Sequence, residues 1–163
     1  MGSRFRVVTG AVVATIALSV GAVGGTFAQD TDCELALRDA PIETVAVPQG
    51  WQWDSLEWLA LGLWNGSLSL ADEDSYGYSS FLITCTPDSA GTFARQHEIR
   101  QALGLFTTIT VAPIGDQTFA YRSEERPVIT WRHGDIIATL SISEEAEFGD
   151  FEAFALAIDA LLP

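Results

Sequence analysis

Two histidines, His97 and His133, and 22 acidic residues are the side chains that could supply a general base and its orienting partner. Neither histidine belongs to a pattern that activates a nucleophile, because the sequence contains no Gly-x-Ser-x-Gly motif. His133 precedes Gly134 where two predicted strands reverse, so we interpret it as a turn residue. His97 follows Phe93 by about one helical turn, and we expect it to pack over a sheet. The sequence therefore predicts no catalytic residue.

A metal site needs several ligands that converge on one ion, and the sequence lacks the histidine and cysteine spacings typical of zinc sites. Segment 72–83 begins like a calcium loop, with aspartate first and third and glycine sixth. Tyr76 stands fifth, however, and Ile83 stands twelfth, where the bidentate glutamate belongs. We expect a solvated loop and neither a metal ion nor a cofactor, with a weak calcium site as the alternative.

Adjacent acidic residues occur at Glu124-Glu125 and at Glu144-Glu145. Glycoside hydrolysis uses two carboxyl groups about 5–10 Å apart across a cleft. Neighbouring residues of a strand point to opposite faces, so we interpret both pairs as solvating charges. A carboxylate-based hydrolase that acts outside the cell stays open as the alternative function.

Four of the five tryptophans, Trp51, Trp53, Trp58 and Trp64, fall within 14 residues. Such rings can stack on sugars or apolar ligands and offer an indole N–H. On an extended segment Trp51 and Trp53 share one strand face. We therefore predict Trp51, Trp53 and Trp64 as ligand-binding residues for an unknown small molecule, glycan or envelope protein. The alternative is that the rings close the core of a small domain.

Residues 1–28 have the charged, apolar and small-residue order of a secretory signal peptide. Arg4 and Arg6 precede an apolar stretch, and residues 24–28 are mostly small. An uncleaved membrane anchor is the alternative, because residues 7–28 are uncharged and long enough to span a bilayer. In both cases residues 29–163 are expected outside the cytoplasm, either secreted or in the cell envelope.

Cys33 and Cys85 are the only cysteines, and both follow the predicted leader. In an oxidising compartment a lone pair is most simply a disulfide, although two unrelated buried thiols are the alternative. A bridge at this sequence separation would stabilise the fold by about 4 kcal/mol in the chain-entropy model.

Removing the leader leaves 135 of the 163 residues, which suits a single domain. Without Arg4 and Arg6 it carries six basic and 22 acidic residues, a net charge of −16, which argues against a nucleic-acid partner. The chain is also 48% hydrophobic, too apolar for a disordered acidic tail. Contact with a membrane is expected only if residues 7–28 are retained as an anchor.

The hydrophobic pattern predicts an α+β domain, with an antiparallel sheet of about six to eight strands packed with two helices. One helix is predicted from a cap at Asp88 or Ser89 to about Leu103, ended by Gly104, and a second over 150–162. Residues 29–41 are expected to form an ordered lead-in pinned by Cys33. Further strands, besides those near the tryptophans, are predicted over 42–47, 78–86, 106–112, 118–122, 128–132 and 136–143.

Segment 54–64 fits either an amphipathic helix or a strand. We favour a hairpin with Asn65-Gly66 as its two-residue turn, since these residues suit the positive φ angles of a type I′ turn. This register would pair Leu63 with Leu68 and Leu61 with Leu70.

Four segments, 47–51, 114–121, 128–137 and 151–162, resemble secreted PsbP-like domains and the similar LpqN-type lipoproteins of the mycobacterial envelope. The resemblance covers most of residues 42–162. It implies an antiparallel sheet flanked by helices that serves as a noncatalytic binding or assembly module, and it carries over no functional residue. The lipoprotein cysteine is absent from this chain. We therefore predict a noncatalytic extracytoplasmic binding or assembly module.

Mass spectrometry of the exported protein is expected to find a chain that begins at Gln29, because Thr26 and Ala28 provide the small residues before a cleavage site. A product that retains Met1 would contradict cleavage and favour the membrane anchor.

Overall fold

A computed structural model of the chain describes residues 31–72, 77–104, 106–123 and 126–163. These residues form a seven-stranded antiparallel sheet and three α-helices, which confirms the predicted α+β class. The helices are α1 Asp32–Arg38, α2 Ser89–Leu103 and α3 Phe148–Asp159. The strands are β1 Trp51–Leu59, β2 Leu63–Leu70, β3 Tyr78–Cys85, β4 Phe106–Ile109, β5 Gln117–Ser123, β6 Arg126–His133 and β7 Ile136–Ser141.

Several predictions fall outside the described residues. They concern the leader or anchor over 1–28, the pair Glu124-Glu125 and the central part, 73–76, of the acidic loop. Within the described ranges, no helix combines the length and the apolar character needed to cross a membrane.

Two meanders build the sheet. One runs through β1, β2 and β3, and the other runs through β4, β5, β6 and β7, each strand pairing with the next. β3 pairs with β7, so Phe81 lies opposite Leu140 and the strand order is β1-β2-β3-β7-β6-β5-β4. The two meanders therefore form one continuous sheet.

The main core lies on the sheet face that α1 and α3 cover. α3 contributes four buried side chains, among them Phe151 and Ile158, at the helical spacing that the sequence indicates. The fully buried strand residues Ile129 and Trp131 belong to the same cluster. Burying a side chain such as that of Phe151 stabilises the fold by about 1.5–3 kcal/mol. Because the larger of the two buried clusters lies on this face, it provides most of the hydrophobic stabilisation.

α2 lies on the opposite face, and the structure confirms its predicted end at Gly104 and, of the two possible caps, selects Asp88. The carboxylate of Asp88 accepts a hydrogen bond from the Gly91 backbone at the start of the helix, and Gly104, with φ +61°, ends it. Phe93 joins a second, smaller cluster with side chains of the sheet, namely Phe119, Tyr121, Val128 and Ile137. The sheet thus has a helix-covered cluster on each face.

The predicted strand over 42–47 is wrong. Residues Ile42–Thr44 form a short 3₁₀-helix, in which the Thr44 backbone donates to the carbonyl of Pro41. Ile42 and Val45 are both buried in the main core, so two apolar residues three positions apart hold this turn in place. Apolar and polar residues alternate poorly in this segment because its buried residues are three positions apart, not two as in a strand.

α1 occupies part of the segment that we expected to be a lead-in, and it is a third helix beyond the two predicted. It begins with a reciprocal pair of hydrogen bonds: the Glu34 backbone donates to the Thr31 hydroxyl, and the Thr31 backbone donates to the Glu34 carboxylate. This capping box is the sequence signal that would have revealed the helix.

β1 and β2 form a hairpin, but the predicted hairpin is wrong: Leu63 and Leu68, expected to pair across an Asn65-Gly66 turn, both lie within β2 and pair with Leu59 and Trp53 of β1. The turn lies at residues 60–62, where Gly62 has φ +74°, and Trp58 pairs with Trp64. Gly66 lies inside β2 opposite Phe81, and a Cβ there would stand 2.3 Å from a ring carbon. Gly66 therefore makes room for the Phe81 ring, and Gly62 supplies the conformation of the turn.

The predicted disulfide between Cys33 and Cys85 is confirmed. Its Cα atoms are 6.0 Å apart, and the bridge joins α1 to the last residue of β3. It therefore ties the helix that begins the described chain to the middle of the sheet.

Replacing Gly66 with alanine is expected to lower the free energy of unfolding by about 1–3 kcal/mol, because the new methyl group would collide with the Phe81 ring. Gly149→Ala is the matched control: Gly149 lies in α3, and its Cβ position is open, so alanine there should stabilise by up to about 1 kcal/mol. Urea denaturation measures both changes. Unchanged stability of Gly66→Ala would contradict the packing role.

Candidate functional site

His133 is held by a carboxylate. Its Nδ1 lies 3.0 Å from Oδ1 of Asp159, whose second oxygen accepts a hydrogen bond from the Gly115 backbone. No serine, threonine or cysteine in the described part of the chain forms a hydrogen bond with this imidazole. The pair therefore connects the end of β6 to the end of α3, which suits the predicted turn role of His133.

The carboxylate of Glu145 accepts a hydrogen bond from the Ser143 hydroxyl, and this bond lowers the pKa of Glu145. The general acid of a glycosidase needs a raised pKa instead. Glu145 therefore lacks the raised pKa that a general acid would need.

The candidate calcium loop offers no site within the described ranges. Asp72 is described, but residues 73–76 are not. Among the residues that are described, no three His, Cys, Asp or Glu side chains lie close enough together to hold a metal ion.

Trp51 and Trp53 share one face of β1, and that face is turned toward the main core. The Trp51 ring, 8% exposed, packs edge-on against Phe151 at 5.1 Å between centroids. The Trp53 ring contacts Phe81 at 5.7 Å and Phe154 at 5.8 Å. Both rings therefore contribute to packing between the sheet and α3.

Trp64 packs on the same face of β2. Its indole Nε1 donates to the backbone carbonyl of Leu37 at 2.8 Å, and its ring meets Trp58 edge-on at 5.7 Å. The polar handle of Trp64 is thus already used to hold α1 against the sheet. The ligand-binding role of Trp51, Trp53 and Trp64 stays a prediction.

A second arrangement of aromatic side chains lies on the opposite face, between α2 and strands β4 and β5. We call it the α2 cleft. It contains a small hollow of about 30 Å³ and a larger one of about 330 Å³, which share Arg100, Phe106 and Tyr121. The small hollow also contacts His97 and Phe119, and the larger hollow also contacts Ile99 and Leu103.

The spacing of the residues explains how the cleft forms. Phe119 and Tyr121 are two apart on β5 and so point to the same face of the sheet. His97 and Arg100 are three apart on α2 and so lie on one side of the helix. Packing α2 over β5 therefore brings all four side chains together.

Arg100 lies over two aromatic rings. Its guanidinium carbon is 4.4 Å from the Tyr121 centroid and 5.4 Å from that of Phe119. His97 stacks on Phe119 at 4.9 Å with a 20° interplanar angle, which confirms that it packs over the sheet. Each cation–π contact of this kind is worth about 0.5–2 kcal/mol.

The Arg100 side chain lacks a polar partner among the described residues. Its Nη1 is shielded from solvent yet forms no hydrogen bond, and no described carboxylate forms an ion pair with the guanidinium. Among the residues that the structure describes, the one other shielded side-chain nitrogen without a hydrogen-bond partner is Nε1 of Trp131, inside the main core. Arg100 is therefore a cation that contacts aromatic rings and no described carboxylate, although the chain carries a net charge of −14.

Tyr121 shows the electrostatic character of the cleft. Burial raises the pKa of its phenol, and the nearby positive charge of Arg100 partly opposes that rise. The Tyr121 side chain is 8% exposed. The phenol is therefore neutral and shielded at ordinary pH.

The rim of the cleft is apolar. Ile99 and Leu103 on α2 are 59% and 55% exposed, and both border the larger hollow. The arrangement can thus hold an apolar group beside a guanidinium. Sequence reasoning missed it, although the alternation of Phe119 with Tyr121 and the helical spacing of His97 and Arg100 were its available signals.

Comparisons with protein-family models, with curated proteins and with solved structures found no match. The resemblance to PsbP-like and LpqN-type domains therefore stays a prediction.

The contribution of Tyr121 to the free energy of unfolding is expected to decline at alkaline pH. Because its pKa is raised in the folded state, its contribution is complete below the unfolded pKa of about 10 and declines as the pH rises further. Unfolding free energies of the unaltered protein and of Tyr121→Phe, measured from pH 7 to pH 11, should differ by a constant amount at first. Above about pH 10 the free energy of unfolding of the unaltered protein should fall relative to that of Tyr121→Phe. A constant difference throughout would contradict the raised pKa.

Proposed function

We propose that the protein is a noncatalytic extracytoplasmic binding or assembly module and that it binds its ligand in the α2 cleft. The observation that carries this proposal is Arg100, whose shielded Nη1 has no hydrogen-bond partner in the described part of the chain. Leaving a buried donor unpaired costs about 1–3 kcal/mol, and more when the group is charged. Because Nη1 has almost no surface open to solvent, a ligand acceptor would remove that cost once the guanidinium turned toward the cleft.

The surroundings of Arg100 support the same role. Aromatic walls beside a few polar groups are typical of small-molecule sites, and the larger hollow of about 330 Å³ is near the lower end of their usual size. The Phe106 ring meets Tyr121 edge-on at 4.9 Å and borders both hollows. This wall belongs to the smaller cluster, so the main core is formed without it.

Two features of the chain support a location outside the cytoplasm. The disulfide between Cys33 and Cys85 is of a kind that persists in oxidising compartments. The sequence of residues 1–28 has the order of a secretory signal. The resemblance to PsbP-like and LpqN-type envelope domains implies the same class of binding or assembly module.

Titration of the ¹⁵N-labelled protein with a set of small aromatic and aliphatic fragments tests this proposal. Backbone shift changes are expected in α2, β4 and β5, the indole N–H signals of Trp51, Trp53 and Trp64 should stay in place, and every fragment should be recovered unchanged. Perturbation centred on the indoles would instead favour the tryptophan cluster. Conversion of a fragment, or no binding at all, would contradict the proposal.

Phe106→Ala should weaken binding of any cleft fragment at least tenfold, because it removes the wall that both hollows share. Leu61→Ala is the control: Leu61 is 80% exposed in the turn between β1 and β2, and its loss should leave binding unchanged. Equal effects of both substitutions would contradict the assigned location.

A further inference from the structure

We propose that the ligand of the α2 cleft is a small carboxylic acid with an apolar body, whose carboxylate pairs with Arg100. This inference rests on the proposed binding function and adds the chemical class of the ligand. In the bound state the acid group would contact the guanidinium, and the apolar body would occupy the larger hollow beside Ile99 and Leu103.

The geometry of Arg100 favours an anion. The guanidinium carbon lies over the Tyr121 and Phe119 rings, 4.4 and 5.4 Å from their centroids, and the N–H groups of a guanidinium all lie in its own plane. An acceptor must therefore approach along that plane. A carboxylate can take two of these N–H groups in a bidentate pair, which is among the stronger hydrogen-bonded arrangements in proteins.

The charge of the site favours a monoanion. Arg100 provides one positive charge, and the chain as a whole carries a net charge of −14, which repels polyanions such as nucleic acids or strongly acidic peptides. A cationic ligand is also disfavoured, because the guanidinium already occupies the aromatic faces that would bind it. A single carboxylate matches the single cation.

The volume and the lining of the larger hollow determine the size and the apolar character of the part of the ligand that would occupy it. A volume of about 330 Å³ is near the lower end of the range found for small-molecule pockets, so the body of the ligand must be small. The exposed Ile99 and Leu103 side chains and the Phe106 ring form most of its apolar wall. Covering them would remove apolar surface from water, so a short aliphatic or bicyclic aromatic body fits the hollow.

Calorimetric titration with 2-naphthoate and with its neutral counterpart, 2-naphthamide, tests the inference on the unaltered protein. The acid is expected to bind at least tenfold more tightly than the amide, and its affinity should fall as the salt concentration rises. Equal affinities would overturn the inference, and so would an affinity for the acid that is independent of salt.

Arg100→Gln removes the cation and should weaken binding of 2-naphthoate at least tenfold, while binding of 2-naphthamide changes less than threefold. Arg95→Gln is the matched control: Arg95 lies on the same helix, its side chain is 66% exposed, and it pairs with Asp88 at 3.7 Å. It should alter neither affinity. An equal loss in both arginine variants would contradict the role of Arg100.

The outcomes separate this inference from the proposed function. If both probes bind equally in the cleft, and Phe106→Ala abolishes that binding, the binding module stands and the carboxylate specificity fails. If other fragments bind there but neither naphthalene probe does, the specificity fails likewise. If nothing binds in the cleft, the proposed function fails. The comparison of acid with amide needs no variant, so it remains decisive even if Arg100→Gln does not fold.

Discussion

β3 and β7 are far apart in sequence, and their pairing joins the two meanders into one sheet. Phe81 on β3 lies opposite Leu140 on β7, and both side chains belong to the main core. All of α2 and strands β4 to β6 lie between these partners in the chain. The pairing must therefore close a long loop before its contacts can form, and closing such a loop costs entropy. Once it has formed, α1 and α3 can cover a single continuous face.

The position of the α2 cleft follows from this arrangement. With α1 and α3 on one face, α2 packs on the other, where the Ser89 hydroxyl donates to the carbonyl of Gly134 beside the turn between β6 and β7. From that fixed end the helix extends over β5 and ends at Gly104, with Ile99 and Leu103 exposed near its end. The aromatic side chains of β5 consequently meet His97 and Arg100 in place of aliphatic residues. The two faces of the sheet therefore differ in the types of side chain that they bury as well as in the number of residues in their clusters.

The elements that follow from local chemistry were predictable, and those that depend on distant partners were not. The bounds of α2 are set by Asp88 and Gly104, which the sequence shows directly. The role of Gly66 depends on the Phe81 ring from another strand, so an Asn-Gly pair that favours a turn was misassigned as one. The cleft required the same kind of knowledge, because nothing local places Arg100 over Tyr121.

The surroundings of the disulfide affect how the bond meets reductants. A hollow of about 260 Å³ beside Cys33 and Cys85 is bordered by three acidic residues, Glu34, Asp88 and Asp135. Reduction begins with attack by a thiolate, which is itself negatively charged. The carboxylates repel such a nucleophile as it approaches, most strongly when it carries further negative charge. We therefore expect these acidic residues to slow attack on the bridge by anionic thiolates, in addition to the stability that the bridge gives the folded chain.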